Sequence, residues 1–215
     1  MGRVGVVAAK GFDDSRQFWD QRFASEEYVF GTAPNVFLAS QSQWFKPGIR
    51  VLDVACGEGR NAVWLAQQGC EVVAIDISPV AIEKARRLAA EHGVHVAFEL
   101  VDVRNWRWPP SAFDAVVSVF IQFAAPEERA QLFTGFVTTL RPNGVLVLQG
   151  YTPKQLQYKT GGPPQAEHMY TRPMLREAVA GLEIVHVREH DDVLSEGTKH
   201  VGLSALIDLV ARKPG

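Results

Sequence analysis

The stretch Val51-Leu52-Asp53-Val54-Ala55-Cys56-Gly57-Glu58-Gly59-Arg60-Asn61 does most to limit what this chain can fold into. A short apolar run turns on two glycines into a segment with helical spacing, and a second apolar run from Glu71 to Ile75 ends on Asp76. Glycine tolerates positive φ and lets backbone come close to a ligand. A helix opening at Arg60 points its unpaired N–H groups back at the bend. An acid at the end of the next strand is where an open α/β sheet grips a ribose. The pattern predicts a parallel sheet with a nucleoside site at the carboxyl ends of its strands.

Two nucleoside cofactors meet the spacing. Gly57-x-Gly59-x-x-Ala62, with Asp76 about 20 residues on, fits the dinucleotide fingerprint and keeps an NAD-linked oxidoreductase as an alternative. Charge favours the other. A pyrophosphate here faces Asp53 and Glu58, and like charges about 4–6 Å apart in a partly dry site cost on the order of kcal/mol. S-adenosylmethionine (SAM) carries an ammonium and a sulfonium and no phosphate, so the same acids attract it.

Asp53-x-Ala55-x-Gly57-x-Gly59 resembles the first motif of class I SAM-dependent methyltransferases, with Ala55 where many members carry glycine. Trp19-Asp20-x-Arg22-Phe23 and Tyr28-x-Phe30-Gly31-x-x-Pro34-Asn35 resemble the N-terminal segment of small bacterial members, including the tellurite-resistance type. Arg141-Pro142-Asn143-Gly144 resembles the family's Leu-x-Pro-Gly-Gly turn. The resemblance covers the chain from about Ser15. It implies an α/β fold: a doubly wound, mostly parallel seven-stranded sheet of order 3-2-1-4-5-7-6, with an antiparallel terminal strand and helices on both faces. It implies SAM as cofactor and S-adenosylhomocysteine (SAH) as product. The bend residues Asp53, Ala55, Cys56, Gly57, Gly59 and Asn61 are expected to bind it, together with Gly31 and Phe120. Asp76 would hold the ribose, Ile77 would lie on the adenine, and Asp102 and Val103 would meet its amine and a ring nitrogen. Arg22 is the expected partner of the SAM carboxylate. Tyr28 or Phe30 is expected to face the sulfonium through a cation–π contact.

At 215 residues, 47% hydrophobic and 21% charged, the chain suits one domain with a full core. Residues 1–14 are expected to be flexible, 15–45 to form a helical lid, and 150–172 to form a loop on the acceptor side. Helices are expected over Ser15–Ala24 and Asn35–Trp44, a turn over 141–144, and a terminal hairpin of Glu183–Glu189 and Val201–Arg212 joined by 191–200. No run of 18 apolar residues predicts a membrane span. Gly2, Gly5 and Lys10 interrupt the first residues in a way unlike a secretory signal. Cys56 and Cys70 lack metal-ligand spacing, so no metal is expected, and reduced thiols suit the cytoplasm. The 22 Lys+Arg against 24 Asp+Glu leave no basic excess for a nucleic-acid partner. Ser118 to Phe123 also lacks the Asn/Asp-Pro-Pro-Tyr/Phe motif of amino-directed DNA methyltransferases.

A small-molecule methyl acceptor is the partner expected. Methyl transfer is an in-line displacement that asks mainly for alignment and exclusion of water, with a general base needed for hydroxyls and ammonium groups. The acceptor-side segment supplies His168 and Tyr170 as first candidates for that chemistry, with Tyr151, His190 and His200 in the same set. A non-catalytic SAM-binding protein is the further alternative. The lid and the long loop speak for an enzyme.

Overall fold

The computed structural model describes residues 12–215. Of the flexible segment expected over 1–14, residues 1–11 lie outside the described residues, and 12–14 open a helix, α1 (Phe12–Phe23). Next come α2 (Val36–Ser40), β1 (Arg50–Val54), α3 (Arg60–Gln67), β2 (Glu71–Asp76), α4 (Pro79–Glu91), β3 (Ala97–Leu100) and β4 (Phe113–Val119). The chain continues through α5 (Pro126–Thr139), β5 (Leu140–Tyr151), α6 (Gln155–Tyr158), α7 (Arg172–Ala178), β6 (Glu183–Glu196) and β7 (His200–Arg212). The seven strands form one sheet of order β3-β2-β1-β4-β5-β7-β6. Strands β1 to β5 run parallel, and β7 is antiparallel to both β5 and β6.

The near-continuous apolar runs of β1, β4 and β5 follow from burial on both faces. Successive side chains of a strand point to opposite sides. Val51 therefore packs with Leu38 of α2 and Leu65 of α3, whereas Leu52 and Val54 pack with Phe133 and Phe136 of α5 and Leu175 of α7. Local chemistry sets the helix starts. Ser78 Oγ accepts from Ala81 N at 3.1 Å ahead of α4, with Pro79 in the first turn. Asn35 Oδ1 accepts from Leu38 N at 3.0 Å ahead of α2.

Three local expectations change. The second helix is short: α2 ends at Ser40, and a single 3-10 turn, Ser42–Trp44, follows. The turn at 141–144 sits inside β5 as an irregularity, since Leu140 pairs with Phe113 and Val145 with Ala115. Asn143 there takes a left-handed φ of 66°. The terminal hairpin is longer than expected, pairing without a loop from Glu183↔Arg212 to Glu196↔His200. Its polar stretch from Asp191 to Glu196 reads as a connection, yet its backbone pairs with β7 and both Leu194 and Glu196 are buried.

That extension reaches the N-terminal segment. Thr198 N donates to Val29 O at 2.9 Å. Gly31, at φ 73°, approaches the hairpin turn so closely that a Cβ on it would stand 3.1 Å from Gly197 N. Among the described residues no helix is long and apolar enough to cross a membrane.

Helix α4 packs hard against the glycine bend, where Gly59 has φ 85° and a Cβ would meet Ala85 Cβ at 2.7 Å. A Gly59→Ala protein is expected to lose ~2–4 kcal/mol, the left-handed strain plus the overpacking. Urea unfolding reads this as a lower midpoint at unchanged slope, and a wild-type midpoint would show that the contact is slack.

Candidate active site

The bend between β1 and α3 is left-handed at Ala55 (φ 49°), Gly57 (φ 54°) and Gly59 (φ 85°). Asp76 fixes it from β2: Gly57 N donates to Asp76 Oδ2 at 2.8 Å and Ser78 N to Asp76 Oδ1 at 2.9 Å. Both carboxylate oxygens thus accept from backbone N–H groups and keep acceptor capacity for a hydroxyl. Phe23 of α1 covers the bend, 3.5 Å from where a Cβ of Gly57 would lie. Beneath the bend Asp53 is 2% exposed, and its Oδ2 has no hydrogen-bond partner. Burial pushes the Asp53 carboxyl up to about 7, with Arg60 opposing the rise and Asp76 adding to it. Burial likewise raises Asp76 to about 6 against the N–H groups of Ser78, Gly57 and Ile77.

Glu58 has a different role from the one its position in the bend suggests. Its carboxylate is ion-paired with Lys84 Nζ of α4, both side chains being buried. Lys84 Nζ also donates to Ser25 O at 2.9 Å and Glu27 O at 2.7 Å, which ties the end of α1 to α4. Tyr28 joins the same knot, donating to Lys84 O at 3.2 Å with its ring 5.1 Å from Lys84 Nζ. The cation over Tyr28 is therefore Lys84. Phe30 is the ring that turns toward His200, with centroids 4.4 Å apart.

A buried polar network links the bend to the terminal hairpin. Arg60, the first residue of α3, donates through Nη2 to Glu196 Oε2 at 2.7 Å. Asn35 Nδ2 donates to Glu196 Oε1 at 2.9 Å and to Gln149 Oε1 at 2.7 Å, while Asn35 N donates to Asn61 Oδ1 at 2.9 Å. Gln149 Nε2 continues to Asp208 Oδ1 at 2.6 Å, and Asp208 Oδ2 meets His190 Nε2 at 2.7 Å. His200 Nδ1 faces Glu196 Oε2 at 3.5 Å, within ion-pair range and outside good hydrogen-bond geometry. Rings close around His200, with Phe30 and Phe120 centroids each 4.4 Å away and Tyr151 at 5.9 Å. Burial lowers the His200 pKa, as do Arg60 and Arg22, against the pull of Glu196. Against the cost of burying Glu196, His200 and Arg60 together bring its carboxyl down to about 2.

The remaining expected residues fall in several places. Ile77 and Cys56 are half-buried at the strand ends, and Cys56 N donates to Ile75 O at 3.0 Å. Val103 is buried in the core, and Asp102 is already engaged by Arg104, with Nε at 2.9 and 3.0 Å from its two oxygens. A cavity lined by Val103, Arg104, Trp106, Phe123 and Glu128 opens beside that pair. Arg22 is exposed, its guanidinium 5.6 Å from the Phe30 ring. His168 ends a 3-10 turn, and Arg129 of α5 holds the preceding residue through Glu167 O at 2.6 Å. Tyr170 is 1% exposed, packs on Phe133, and fills the space left by the missing Cβ of Gly150. Gly150 and Tyr151 face opposite ways, so Tyr170 lies on the α5 side of the sheet and Tyr151 with His200.

The left-handed bend, the free oxygen of Asp53 and the two oxygens of Asp76 suit a cationic nucleoside without phosphate. With the strand order above, they define the class: a SAM-dependent methyltransferase domain on the class I fold. Residues 51–144 match the family described as Methyltransferase domain, for which SAM is the cofactor. A thiopurine S-methyltransferase of Pseudomonas fluorescens is 26% identical over 219 residues, covering 91% of this chain and 95% of that protein. Against relatives from Mycobacterium bovis and Mycobacterium tuberculosis, 26% identical over 140 residues, the chain spans about half of their length, 50%. The N-methyltransferase NodS of Bradyrhizobium japonicum, solved with SAH, superposes at a TM-score of 0.72, with 16% identity and coverage of 94% of this chain and 99% of that one. TehB of Haemophilus influenzae superposes at 0.67, with 16% identity over 93% of this chain and 67% of that one.

An ammonium placed on the free oxygen of Asp53 favours the ionised carboxylate. SAH binding near pH ~6.5 is therefore expected to release about half a proton or more, and close to none near pH ~8. Calorimetry in buffers of different ionisation enthalpy measures this, and proton uptake at the lower pH would exclude the pairing.

Proposed function

We propose that this chain transfers a methyl group from SAM to a small-molecule acceptor, with His200 as the general base. The observation that carries the proposal is a buried imidazole ringed by Phe30, Phe120 and Tyr151 and set 3.5 Å from the Glu196 carboxylate. SAM, when bound, supplies a methyl group on a sulfonium leaving group. Asp53 accepts from its ammonium and Asp76 from its ribose hydroxyls. Phe23 and Phe30, on the 15–45 lid, exclude water from the bend. With the ring proton on Nδ1 toward Glu196, Nε2 of His200 carries the free lone pair and takes the acceptor's proton. Orientation by the surrounding rings supplies the rest.

The Pseudomonas fluorescens relative, aligned along nearly the whole chain, supports a small-molecule acceptor through its thiopurine substrate. A buried base with its own carboxylate partner favours an enzyme over a passive SAM-binding protein. The free thiols of Cys56 and Cys70 suit a reducing cytoplasm.

Release of SAH across a panel of thiols, phenols and amines tests the activity. A His200→Ala protein should lose ~10²–10⁴-fold in turnover of acceptors that must be deprotonated, with SAH affinity unchanged. In the wild type, kcat/KM should rise with pH through a midpoint below the ordinary histidine value of 6.5 and then level off. Wild-type turnover in the alanine variant would remove His200 from the chemistry. Failure of the folded protein to bind SAH would remove the whole proposal.

A further inference from the structure

Two buried atoms of opposite charge stand beside the bend without partners: Asp53 Oδ2 and Arg60 Nη1. Such atoms are costly to leave unmatched in a dry site. Arg60 is 7% exposed, and its Nη2 is committed to Glu196 Oε2 at 2.7 Å. The same carboxylate oxygen faces His200 Nδ1 at 3.5 Å, and Asn35 pins the other oxygen at 2.9 Å. Nη1 is thus a free donor at one end of a line that runs from guanidinium to carboxylate to imidazole. Arg22, where the sequence points for the SAM carboxylate, is exposed and lies over Phe30, on the ring side of the site.

We infer that Arg60, rather than Arg22, binds the carboxylate of the cofactor's amino-acid end through Nη1, and that this contact passes through Glu196 to set the basicity of His200. The inference rests on the methyltransferase reading. The amino-acid end of SAM is a zwitterion, and Asp53 and Arg60 together offer one counter-charge to each of its groups. A carboxylate on Nη1 offsets the Arg60 charge that otherwise draws on Glu196, so Glu196 holds the imidazolium more strongly and the base strengthens once the cofactor is in place. The charged groups that act on His200 are Glu196 of β6, Arg60 of α3 and Arg22 of α1, and the titratable Tyr151 of β5 faces it with ring centroids 5.9 Å apart. Of these, Arg60 alone combines burial, a free donor atom and a direct bond to the carboxylate that faces the imidazole.

The test compares SAH with 5′-methylthioadenosine, which keeps the nucleoside and thioether and lacks the amino-acid group. In calorimetry the Arg60→Gln protein should bind SAH at least tenfold more weakly than wild type and methylthioadenosine within about twofold of wild type. Arg60→Lys should show the same split, because one ammonium cannot serve two carboxylates in the fixed fork geometry. Arg22→Gln should keep SAH affinity within about twofold. In histidine-labelled wild-type protein, NMR titration should show the His200 midpoint raised by SAH and not by methylthioadenosine. Unchanged SAH affinity in the Arg60 variants, a loss carried by Arg22→Gln instead, or equal His200 midpoints with the two ligands would each overturn the inference. If the variants bind neither ligand because they misfold, the wild-type titration alone decides. Wild-type protein that binds neither ligand would overturn the cofactor assignment beneath it.

Discussion

The site depends on a backbone-to-backbone contact between residues 29–31 and the hairpin turn at 196–198. Gly31 and Gly197 meet there with no room for side chains, and Thr198 N closes the contact on Val29 O at 2.9 Å. This clamp brings Asn35 to Glu196, a pair separated by 161 residues in sequence. Without it the segment from Tyr28 to Asn35 would have to be ordered at about 1–2 kcal/mol of backbone entropy per residue, with little burial to offset that. The clamp also explains why the terminal hairpin outgrows the parallel strands. Its last rungs, Ser195↔Val201 and Glu196↔His200, have no sheet to complete and serve to carry Glu196 and His200 to the bend.

The charges then sort themselves by pairing. Glu58 belongs to Lys84 and Glu196 to Arg60, two buried ion pairs whose further hydrogen bonds offset much of the cost of removing them from water. Asp53 and Asp76 are left as acids without a bonded cation, and burial raises both. A pyrophosphate placed on this bend would meet two carboxylates with no bonded counter-ion, whereas an ammonium and a pair of ribose hydroxyls meet acceptors. The preference for a cationic nucleoside survives, although it rests on Asp53 and Asp76 rather than on Asp53 and Glu58.

The sheet was legible because its signals are local. Val51 to Gly59, Glu71 to Asp76 and Phe113 to Val119 each announce a strand and its exit within a few residues, and the glycines mark the bend. Gly57, Gly59 and Asp76 stand together as their spacing demands. The surroundings of His200 were legible only in part, because they meet across the fold: His200 and Tyr151 stood among the candidates, whereas Glu196 did not. His168 and Tyr170 stood out in a loop-like stretch, yet the α5 side of the sheet receives Tyr170 as packing. His200 and Glu196 lay in a segment whose polar composition resembles a connection. The available signal was their spacing: two ionisable residues flanking a Gly-Thr-Lys turn must face one another if the flanks pair as strands. Lys84 and Glu58 offered no such cue for their pairing, being on different elements.

Two non-glycine residues take left-handed backbone at strand exits on the site, Ala55 at φ 49° and Phe120 at φ 56°. Such a conformation costs of order 1–2 kcal/mol for a residue with a Cβ, so its surroundings must impose it. For Phe120 they are visible. Its N–H is held by Gln149 O at 2.8 Å, which keeps the chain against β5 for one residue beyond the strand. The left-handed turn then swings the ring onto His200 at 4.4 Å and Tyr151 at 4.7 Å instead of continuing along the sheet. An extended residue at this position would follow the strand direction and leave the imidazole open to water on that side. Solvation would favour the imidazolium and raise the histidine toward its ordinary value. The strain at Phe120 is therefore coupled to the dryness of the imidazole: the same dihedral that destabilises the strand exit keeps a ring packed over His200.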